Sequence, residues 1–242
     1  MVNLDDLRIK LDQMSERIVS RLKDRSRMPL NQLVYIPDAI PINGCNGMSF
    51  FQFAIKGLEV YHATLGRYEY TDQQPILSTA LPKSPVNRIS TITGLSDKSV
   101  KVSEDLLAFY QTVPPEMCKG GDDPKSYGET VYIDADLIEL VHERINSIGK
   151  HVAHAKLELN PSILKIASND QLLKAILRSE KRESAVVEKA KDIATRYDLD
   201  TKVTERVFRW LIEETVNTEM SYIKSLARSD LDKDRRKALN SN

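Results

Sequence analysis

The chain has few residues that interrupt or terminate helices: its 242 residues include 9 glycines and 10 prolines, and aromatic residues make up only 6%. Lys+Arg and Asp+Glu both number 35, so no overall charge favours a nucleic acid or an anionic membrane as partner. No apolar run approaches the roughly 20 residues of a membrane span. Because leucine, isoleucine, alanine, glutamate, lysine and arginine recur at helical spacing, the composition predicts an all-α protein.

Motifs of nucleophilic and cofactor-dependent chemistry are also absent from the sequence. It contains no glycine-rich phosphate loop, no GxSxG turn and no Ser/His/Asp order. His151 and His154 lie three residues apart, but no partner stands at metal-ligand spacing, so we interpret them as structural or surface residues. We therefore expect neither a metal nor a cofactor.

Only two cysteines are present, Cys45 and Cys118, and both lie in loop-like contexts without metal-type spacing. We interpret them as free thiols in a reducing compartment. The first residues, MVNLDDLRIKLDQ, lack the apolar core of a secretory signal, so we expect a cytoplasmic protein. The alternative is a secreted protein whose signal peptide has been removed, with a Cys45–Cys118 disulfide.

Apolar residues at steps of three and four predict a helical bundle with long connecting loops, forming a single domain over 1–242. The first helix is expected over 4–27, capped by Asn3. Loops are expected at about 29–47, 67–96 and 113–133. The remaining helices are expected over 103–112, 134–158, 162–178 (as a hairpin), 182–197 and 201–231. The second helix is expected over 48–66, with an inward face of Phe50, Phe53, Ala54, Leu58, Tyr61 and Leu65.

Several polar residues share helix faces with apolar residues that we expect to be buried. Each of these charges alone is typical of a rim residue whose aliphatic stem is buried. Together they indicate a positively charged, hydrogen-bonding pocket inside the bundle, because facing helices of a bundle build sites in this way. The residues are Arg8, Arg144, Lys156, Arg182, Glu183, Thr215 and Glu219.

Four segments resemble the all-helical AroQ class of chorismate mutases, in the long single-chain type known from fungi and plants. The first, central and closing helices carry LDDLRIKLDQMSERIVSRLKDRSR, HERINSIGKHVAHAKLE and VFRWLIEETVNTEMSYI. The segment MSFFQFAIKGLEVYHATLGRYEYTDQQPIL is similar to a second helix that only the long type has. The resemblance covers nearly the whole chain. It implies an all-helical bundle with one active site in each chain, and a homodimer.

The resemblance also implies an isomerase that rearranges chorismate to prephenate, without a cofactor, in phenylalanine and tyrosine biosynthesis. By position, Arg8 and Arg144 match the arginines that bind the substrate carboxylates. Lys156 matches a lysine that reaches a carboxylate and the ether oxygen. Thr215 lines the carboxylate pocket, and Glu219 matches the residue that faces the ether oxygen.

Three further positions match substrate contacts of the family. Glu183 matches the glutamate that accepts the ring hydroxyl of the substrate. Arg182 stands where shorter members keep another substrate-binding arginine. Ser179 stands where members usually carry Asp or Asn, which weakens a hydroxyl contact.

The sequence departs from the family at the central helix and at the regulatory positions. Arg144 and Lys156 are twelve residues apart instead of the usual eleven, which requires a bulge or a changed role. Arg67 follows a glycine where paired arginines are usual. Gly128 and Glu129 lie in the loop that carries the other regulatory contacts, and Glu129 replaces a small hydroxyl residue. We expect weak or absent control by aromatic amino acids.

Other functions remain open at this point. One is a mutase for an amino-substituted chorismate, and a second is a secreted mutase. A third, from a different class, is an inactive helical scaffold that binds another protein, which the twelve-residue spacing favours. The combination of Arg8, Glu183, Thr215 and Glu219 favours the enzyme. We expect chorismate and prephenate as ligands, and neither a nucleic acid nor a membrane as partner.

Overall fold

The computed structural model describes residues 4–70, 72–77, 80–86 and 103–239. Within these ranges the chain is all-α, and its only β interactions are two isolated bridges. The helices are α1 (Leu4–Ser26), α2 (Phe50–Thr64), α3 (Ser103–Gln111), α4 (Pro114–Met117), α5 (Tyr127–His142), α6 (Gly149–Leu159), α7 (Asp170–Leu177), α8 (Glu180–Arg196) and α9 (Thr201–Leu239). A π-helical segment, Glu143–Ile148, joins α5 to α6, so that 127–159 forms one continuous central helix.

The helix bounds differ from the prediction mainly at α5 and α9. We expected a loop through residue 133, but α5 begins at Tyr127. The helix starts early because the Asp123 side chain accepts the backbone N–H of Lys125 (3.1 Å) and caps a 3-10 turn, Pro124–Ser126, that leads into it. The last helix continues to Leu239 instead of ending near 231. The proposed cap at Asn3 and part of the expected loop 67–96 lie outside the described residues.

The predicted inward face of α2 was wrong at several positions. Phe53 and Tyr61, which we expected to be buried, are exposed. The fully buried stripe runs instead through Phe51 and Ile55 to Glu59. Glu59 is buried because its carboxylate accepts the backbone N–H of Ile76 and Leu77, in the connection that follows α2. This helix carries apolar residues on more than one side, so its periodicity alone could not identify the buried one.

The described apolar residues form three clusters instead of one continuous core. The largest packs α1, α2, α3, α5, α8 and α9 together around residues such as Ile18, Phe51, Ile138 and Phe208. Two smaller clusters lie beyond it, one between α1 and α6 and one between α6, α7 and α9. The large cluster ties the helices together, and the two smaller clusters supply residues to the pocket described below.

A buried ion pair joins α1 to α5 inside the largest cluster. The Nε of Arg25 lies 2.8 Å from an Asp134 carboxylate oxygen, and both side chains are completely buried. The Tyr35 hydroxyl donates to the other Asp134 oxygen (2.6 Å), and Tyr110 also donates to this carboxylate. Arg25 donates further to the carbonyls of Pro29 and Leu30. One carboxylate thus connects α1, α3, α5 and the 29–35 segment.

We expect Asp134→Asn to lower the free energy of unfolding by about 3–5 kcal/mol, because Arg25 would stay buried without a counter-charge. Asp136→Asn is the matched control on the same helix. Asp136 pairs with Arg21 where both side chains are partly exposed, so its loss should cost less than about 1 kcal/mol. Urea unfolding followed by circular dichroism measures both. Equal effects of the two substitutions would contradict this account of the ion pair.

Candidate active site

A cavity of about 170 Å³ lies between α1, the central helix, the α7–α8 junction and α9. Its apolar lining includes Leu7 and Leu11 of α1, Val152 of α6 and Ile212 of α9. The structure brings every residue that we predicted to be catalytic or substrate-binding to this cavity: Arg8, Arg144, Lys156, Ser179, Arg182, Glu183, Thr215 and Glu219. The residues come from four separate segments of the chain, which only the tertiary fold brings together.

The π-helical segment accounts for the unusual spacing of Arg144 and Lys156. Twelve residues on a regular α-helix would leave two side chains about 120° apart, whereas eleven would leave them about 20° apart. A π-turn accommodates one extra residue by closing i→i+5 hydrogen bonds. The segment Glu143–Ile148 contains Arg144, and both side chains line the cavity. Of our two expectations, a bulge or a changed role, the structure contains the bulge.

Gly149 follows this segment and lets the central helix approach α9 closely. A Cβ atom at this position would lie 3.1 Å from Cγ2 of Thr218, and 3.6 Å from Cγ2 of Thr215. A larger residue would therefore separate the two helices. This close approach helps to place Thr215 and Glu219 of α9 opposite Arg144 and Lys156 of the central helix.

Arg144 is a buried cation suited to binding an anion. Its side chain is almost fully buried, and its Nε has no hydrogen-bond partner among the described residues. Burial lowers the pKa of Arg144 to about 10, an effect that the charge of Asp12 partly opposes. Asp12 is itself paired with Lys189 of α8 (2.7 Å). A carboxylate in the cavity would supply the counter-charge that Arg144 lacks.

Lys156 and Glu219 form an ion pair at the inner wall of the cavity. The Lys156 ammonium donates to Glu219 (2.6 Å) and to the carbonyl of Leu177 (2.8 Å). One of its three N–H groups is left for a ligand. Burial raises the pKa of Glu219 to about 7 even though the charge and hydrogen bond of Lys156 lower it. Glu219 can therefore exist as a neutral hydrogen-bond donor in mildly acidic solution.

Thr215 and Arg8 both line the cavity, and each already bonds to another residue of its own helix. The Thr215 hydroxyl donates to the carbonyl of Leu211 (2.7 Å), so it must rotate before it can donate to a ligand. Arg8 is half-exposed at the cavity mouth and pairs with Asp5, one turn earlier in α1. Arg182 also lines the cavity and is exposed. A ligand would therefore meet solvent-exposed cations first and a buried cation, Arg144, inside.

The contacts of Glu183 include Arg178, a residue that our sequence interpretation missed. One oxygen of the Glu183 carboxylate accepts hydrogen bonds of 2.6 and 3.1 Å from Arg178. The other oxygen accepts from Arg178 (3.3 Å) and from the backbone N–H of Ser179 (3.0 Å). Burial alone would raise the pKa of Glu183, but these hydrogen bonds hold it below its usual value. Arg178 lies within the charged run RSEKRE, where the sequence offers no signal that separates it from solvated neighbours.

The three residues that we associated with regulation do not meet within one chain. Arg67 contacts the carboxylates of Glu139 and Glu143, at 3.4 Å each, near the end of α5. Gly128 and Glu129 are exposed in the first turn of α5. About ten residues of helix, or about 15 Å, separate them from the Arg67 contacts.

The described part of the chain also bears on metal-ligating clusters, membrane-spanning helices and the cysteines. The described residues contain no group of three or more His, Cys, Asp or Glu side chains that could hold a metal ion. In the same part of the chain, no helix is long and apolar enough to cross a bilayer. Cys45 and Cys118 are both free thiols, as that part of our interpretation predicts.

Comparisons with known proteins agree on one family. The model of the family described as chorismate mutase type II matches residues 127–220. Chorismate mutase 1, chloroplastic, of Arabidopsis thaliana is 28% identical over 71% of this chain, but the match covers only 52% of that protein. The chain thus spans about half the length of this relative and of its Petunia hybrida counterpart. Chorismate mutase of Emericella nidulans is 24% identical, over 85% of this chain and 80% of that protein.

Solved structures give the same result for the fold. The chorismate mutase Aro7p of Candida albicans, in complex with L-Trp, superposes with a TM-score of 0.82 at 26% identity. The superposition covers 92% of this chain and 90% of that one. The chloroplast chorismate mutase of Zea mays also superposes with a TM-score of 0.82, at 24% identity, over 95% of this chain and 96% of that one.

The raised pKa of Glu219 predicts a pH-dependent stability. The glutamate has a pKa near 4.5 when unfolded and about 7 when folded, so its stabilising contribution is fully present below pH 4.5 and is lost as pH rises through 7. We expect Glu219→Gln to gain stability relative to wild type across this window, by roughly 3 kcal/mol. Urea unfolding at fixed pH values measures this difference.

Glu183→Gln is the control for this titration. Because the pKa of Glu183 is lowered in the folded protein, its contribution is present above its unfolded pKa and is lost as pH falls. The pH trend relative to wild type should therefore have the opposite sign. Parallel stability curves for wild type and Glu219→Gln would show that Glu219 is not held protonated.

Proposed function

We propose that the chain is an all-helical chorismate mutase that catalyses the rearrangement of chorismate to prephenate without a cofactor, which the match of the chorismate mutase type II model to residues 127–220 supports. The observation that carries the proposal is the composition of one cavity. It combines a buried arginine, Arg144, with a lysine–glutamate pair, Lys156 and Glu219, in which the glutamate has a pKa of about 7. These groups bind and polarise a dianion, and the reaction needs no nucleophile.

Binding of the two carboxylates is the first task of the site. Chorismate must be held in a compact conformer in which the two reacting carbons are close, and charge-assisted hydrogen bonds can fix that conformer. Arg144 would hold one carboxylate inside the cavity. Arg8 would release or share Asp5 and close over a carboxylate at the mouth, while the Thr215 hydroxyl, rotated away from the Leu211 carbonyl, would donate to it. The apolar residues around them exclude water.

Stabilisation of the breaking ether bond is the second task. Negative charge grows on the ether oxygen in the transition state, so donors aimed at it lower the barrier. The free N–H of Lys156 can serve as one donor. Protonated Glu219 can serve as the other, whereas an ionised Glu219 would repel the oxygen. The proton on Glu219 is therefore part of the mechanism.

Recognition of the ring hydroxyl falls to the α7–α8 junction. An ionised carboxylate accepts a hydrogen bond from a hydroxyl group well. The pKa of Glu183 is held below its usual value by Arg178 and by the Ser179 N–H, which favours the ionised form. Ser179 and Arg182 line the same side of the cavity and can make further polar contacts. The exposed position of Arg182 suits it to attracting the substrate more than to fixing it.

The alternatives are less well supported than the mutase. The scaffold hypothesis depended on the spacing of Arg144 and Lys156, which the π-helical segment explains. A Cys45–Cys118 disulfide would favour the secreted form, whereas both cysteines are free thiols. A mutase for an amino-substituted chorismate would need a carboxylate beside the amino group. Asp12 and Glu183 are available at the cavity, so assays with both substrates decide between them.

We also propose a homodimer that resides in the cytoplasm. Exposed Phe53 and Tyr61 of α2 and Tyr132 of α5 offer apolar surface for a second copy, and sedimentation equilibrium would measure the mass. Several relatives carry names that place them in chloroplasts.

We propose weak or absent control by aromatic amino acids, although a related enzyme has been solved with tyrosine in an allosteric site. The engagement of Arg67 by two carboxylates supports this, and an effect of tryptophan or tyrosine on the rate would contradict it.

Turnover of chorismate is the direct test of the proposal. We expect the purified protein to remove the diene absorbance of chorismate, with prephenate confirmed by acid conversion to phenylpyruvate. Arg144→Ala should lower kcat/KM by about 10²–10³-fold, because it removes a buried charge-assisted contact. Arg21→Ala, outside the cavity, is the control and should leave the rate unchanged. Absence of turnover by wild type from acid to neutral pH would refute the proposed activity.

The pH dependence tests the proton on Glu219. We expect kcat/KM of wild type to fall as pH rises through about 7, because Glu219 loses its proton there. The Glu219→Gln variant keeps a neutral donor at every pH, so above pH 8 it should be more active than wild type. An unchanged pH profile in the variant would remove Glu219 from this role.

A further inference from the structure

The junction between α7 and α8 contacts two of the site's charged side chains at once. It consists of Arg178 and Ser179, both in extended conformation between Leu177 and Glu180. The carbonyl of Leu177 accepts from the Lys156 ammonium, and the N–H of Ser179 donates to Glu183. Three consecutive residues thus hold one cation and one anion of the cavity.

Arg178 lies behind Glu183, outside the cavity lining. Its Nε and Nη2 both donate to the same Glu183 oxygen, at 3.1 and 2.6 Å. Its Nη1 donates to Glu213 of α9 (3.2 Å), which also pairs with Lys174 of α7. Arg178 therefore contacts a carboxylate in the cavity wall on one side and a carboxylate of α9 on the other.

We propose that Arg178 is a positioning residue that fixes the charge and orientation of Glu183 at the cavity. The proposal rests on the proposed mutase function, because it assigns to Glu183 the contact with the substrate hydroxyl. A glutamate near a helix N-terminus has several rotamers that reach solvent. With Arg178 donating to both oxygens and the Ser179 N–H donating to one of them, its carboxylate plane is set before substrate arrives, which lowers the cost of ordering it on binding.

The charges around Glu183 make Arg178 important for its ionisation. Lys156 from α6 lowers the pKa of Glu183, but that ammonium is already committed to Glu219. The charge of Glu183 in turn raises the pKa of Glu219. Arg178 thus supports two protonation states: an ionised Glu183 and, through it, a protonated Glu219. The other charged groups at this side are Arg8 of α1, Glu213 of α9, and Glu180 and Arg182 of α8.

A purely structural role is the competing explanation. Arg178 ends α7, and its pairing with Glu213 ties α7 to α9, so its loss could act through packing alone. Packing would lower activity at every pH. Loss of support for Glu183 would instead change the pH at which activity falls on the acid side. The acid limb of the pH profile therefore separates the two roles.

The test uses Arg178→Gln in the full-length protein. We expect kcat/KM at neutral pH to fall about tenfold or more, because the hydroxyl acceptor is no longer fixed. The acid limb should move to higher pH by about one pH unit, since an adjacent arginine lowers a carboxyl pKa by about that much or more. Arg178→Lys keeps the charge but not the paired hydrogen bonds. Its acid limb should stay near that of wild type while kcat/KM falls severalfold.

Glu213→Gln is the matched control. It removes the other partner of Arg178, lies outside the cavity lining and leaves the contacts with Glu183 intact, so its pH profile should match wild type. The pKa of Glu183 is measured separately by carbon-13 NMR of the glutamate carboxyls, assigned with Glu183→Gln, and should rise in Arg178→Gln. An unchanged pKa of Glu183 and an unmoved acid limb would overturn the proposal. The NMR readout needs no turnover, so an inactive wild type with the expected NMR shift would refute the mutase and retain Arg178's effect on Glu183.

Discussion

The register of the central helix is the constraint on which the site depends. Arg144 and Lys156 are the two cations that this helix contributes, and the intervening π-helical segment allows both to line one cavity. The same helix carries Asp134 near its start, where the buried pair with Arg25 fixes it against α1. It also carries Gly149, where α9 comes closest. Any change in register between Asp134 and Gly149 would move the cations out of the cavity without unfolding the large apolar cluster.

The charge state of each ionisable residue in the cavity depends on how many hydrogen bonds and opposite charges it receives. Glu183 receives several hydrogen bonds and stays ionised, whereas Glu219 shares one ammonium and is driven toward neutrality by burial. Below about pH 7, therefore, the two carboxyl groups of the cavity favour opposite protonation states, one suited to accepting a hydrogen bond and one to donating. Arg144 receives only the partial compensation of the Asp12 charge, and its Nε has no hydrogen-bond partner among the described residues, so it is suited to binding a ligand carboxylate. The site is prepared for an anion that carries both an acceptor and a hydroxyl donor.

Much of this could be predicted from the sequence, because helices and their inward polar residues leave periodic signals. Most helix bounds and the full set of cavity-lining candidates followed from periodicity and family resemblance. The face of α2 did not, since a helix with apolar residues on several sides is oriented by its partners, here through the contacts of Glu59 with Ile76 and Leu77. Arg178 was missed for a related reason. Its role comes from a carboxylate five residues away and from Glu213 of α9, and no local pattern records the second contact.

The division of the core into three clusters explains why a charged cavity and a stable fold can coexist. The largest cluster buries apolar surface from six helices and surrounds the Arg25–Asp134 pair, so we expect most of the stability to come from there. The cavity lies beyond it, against the two small clusters, so its buried charged groups do not interrupt the packing of the large cluster. Apart from Glu219, whose buried carboxyl itself affects stability, we expect substitutions in the cavity to change the proposed activity far more than folding. The exceptions are positions such as Gly149, where helix spacing and site geometry depend on the same contact.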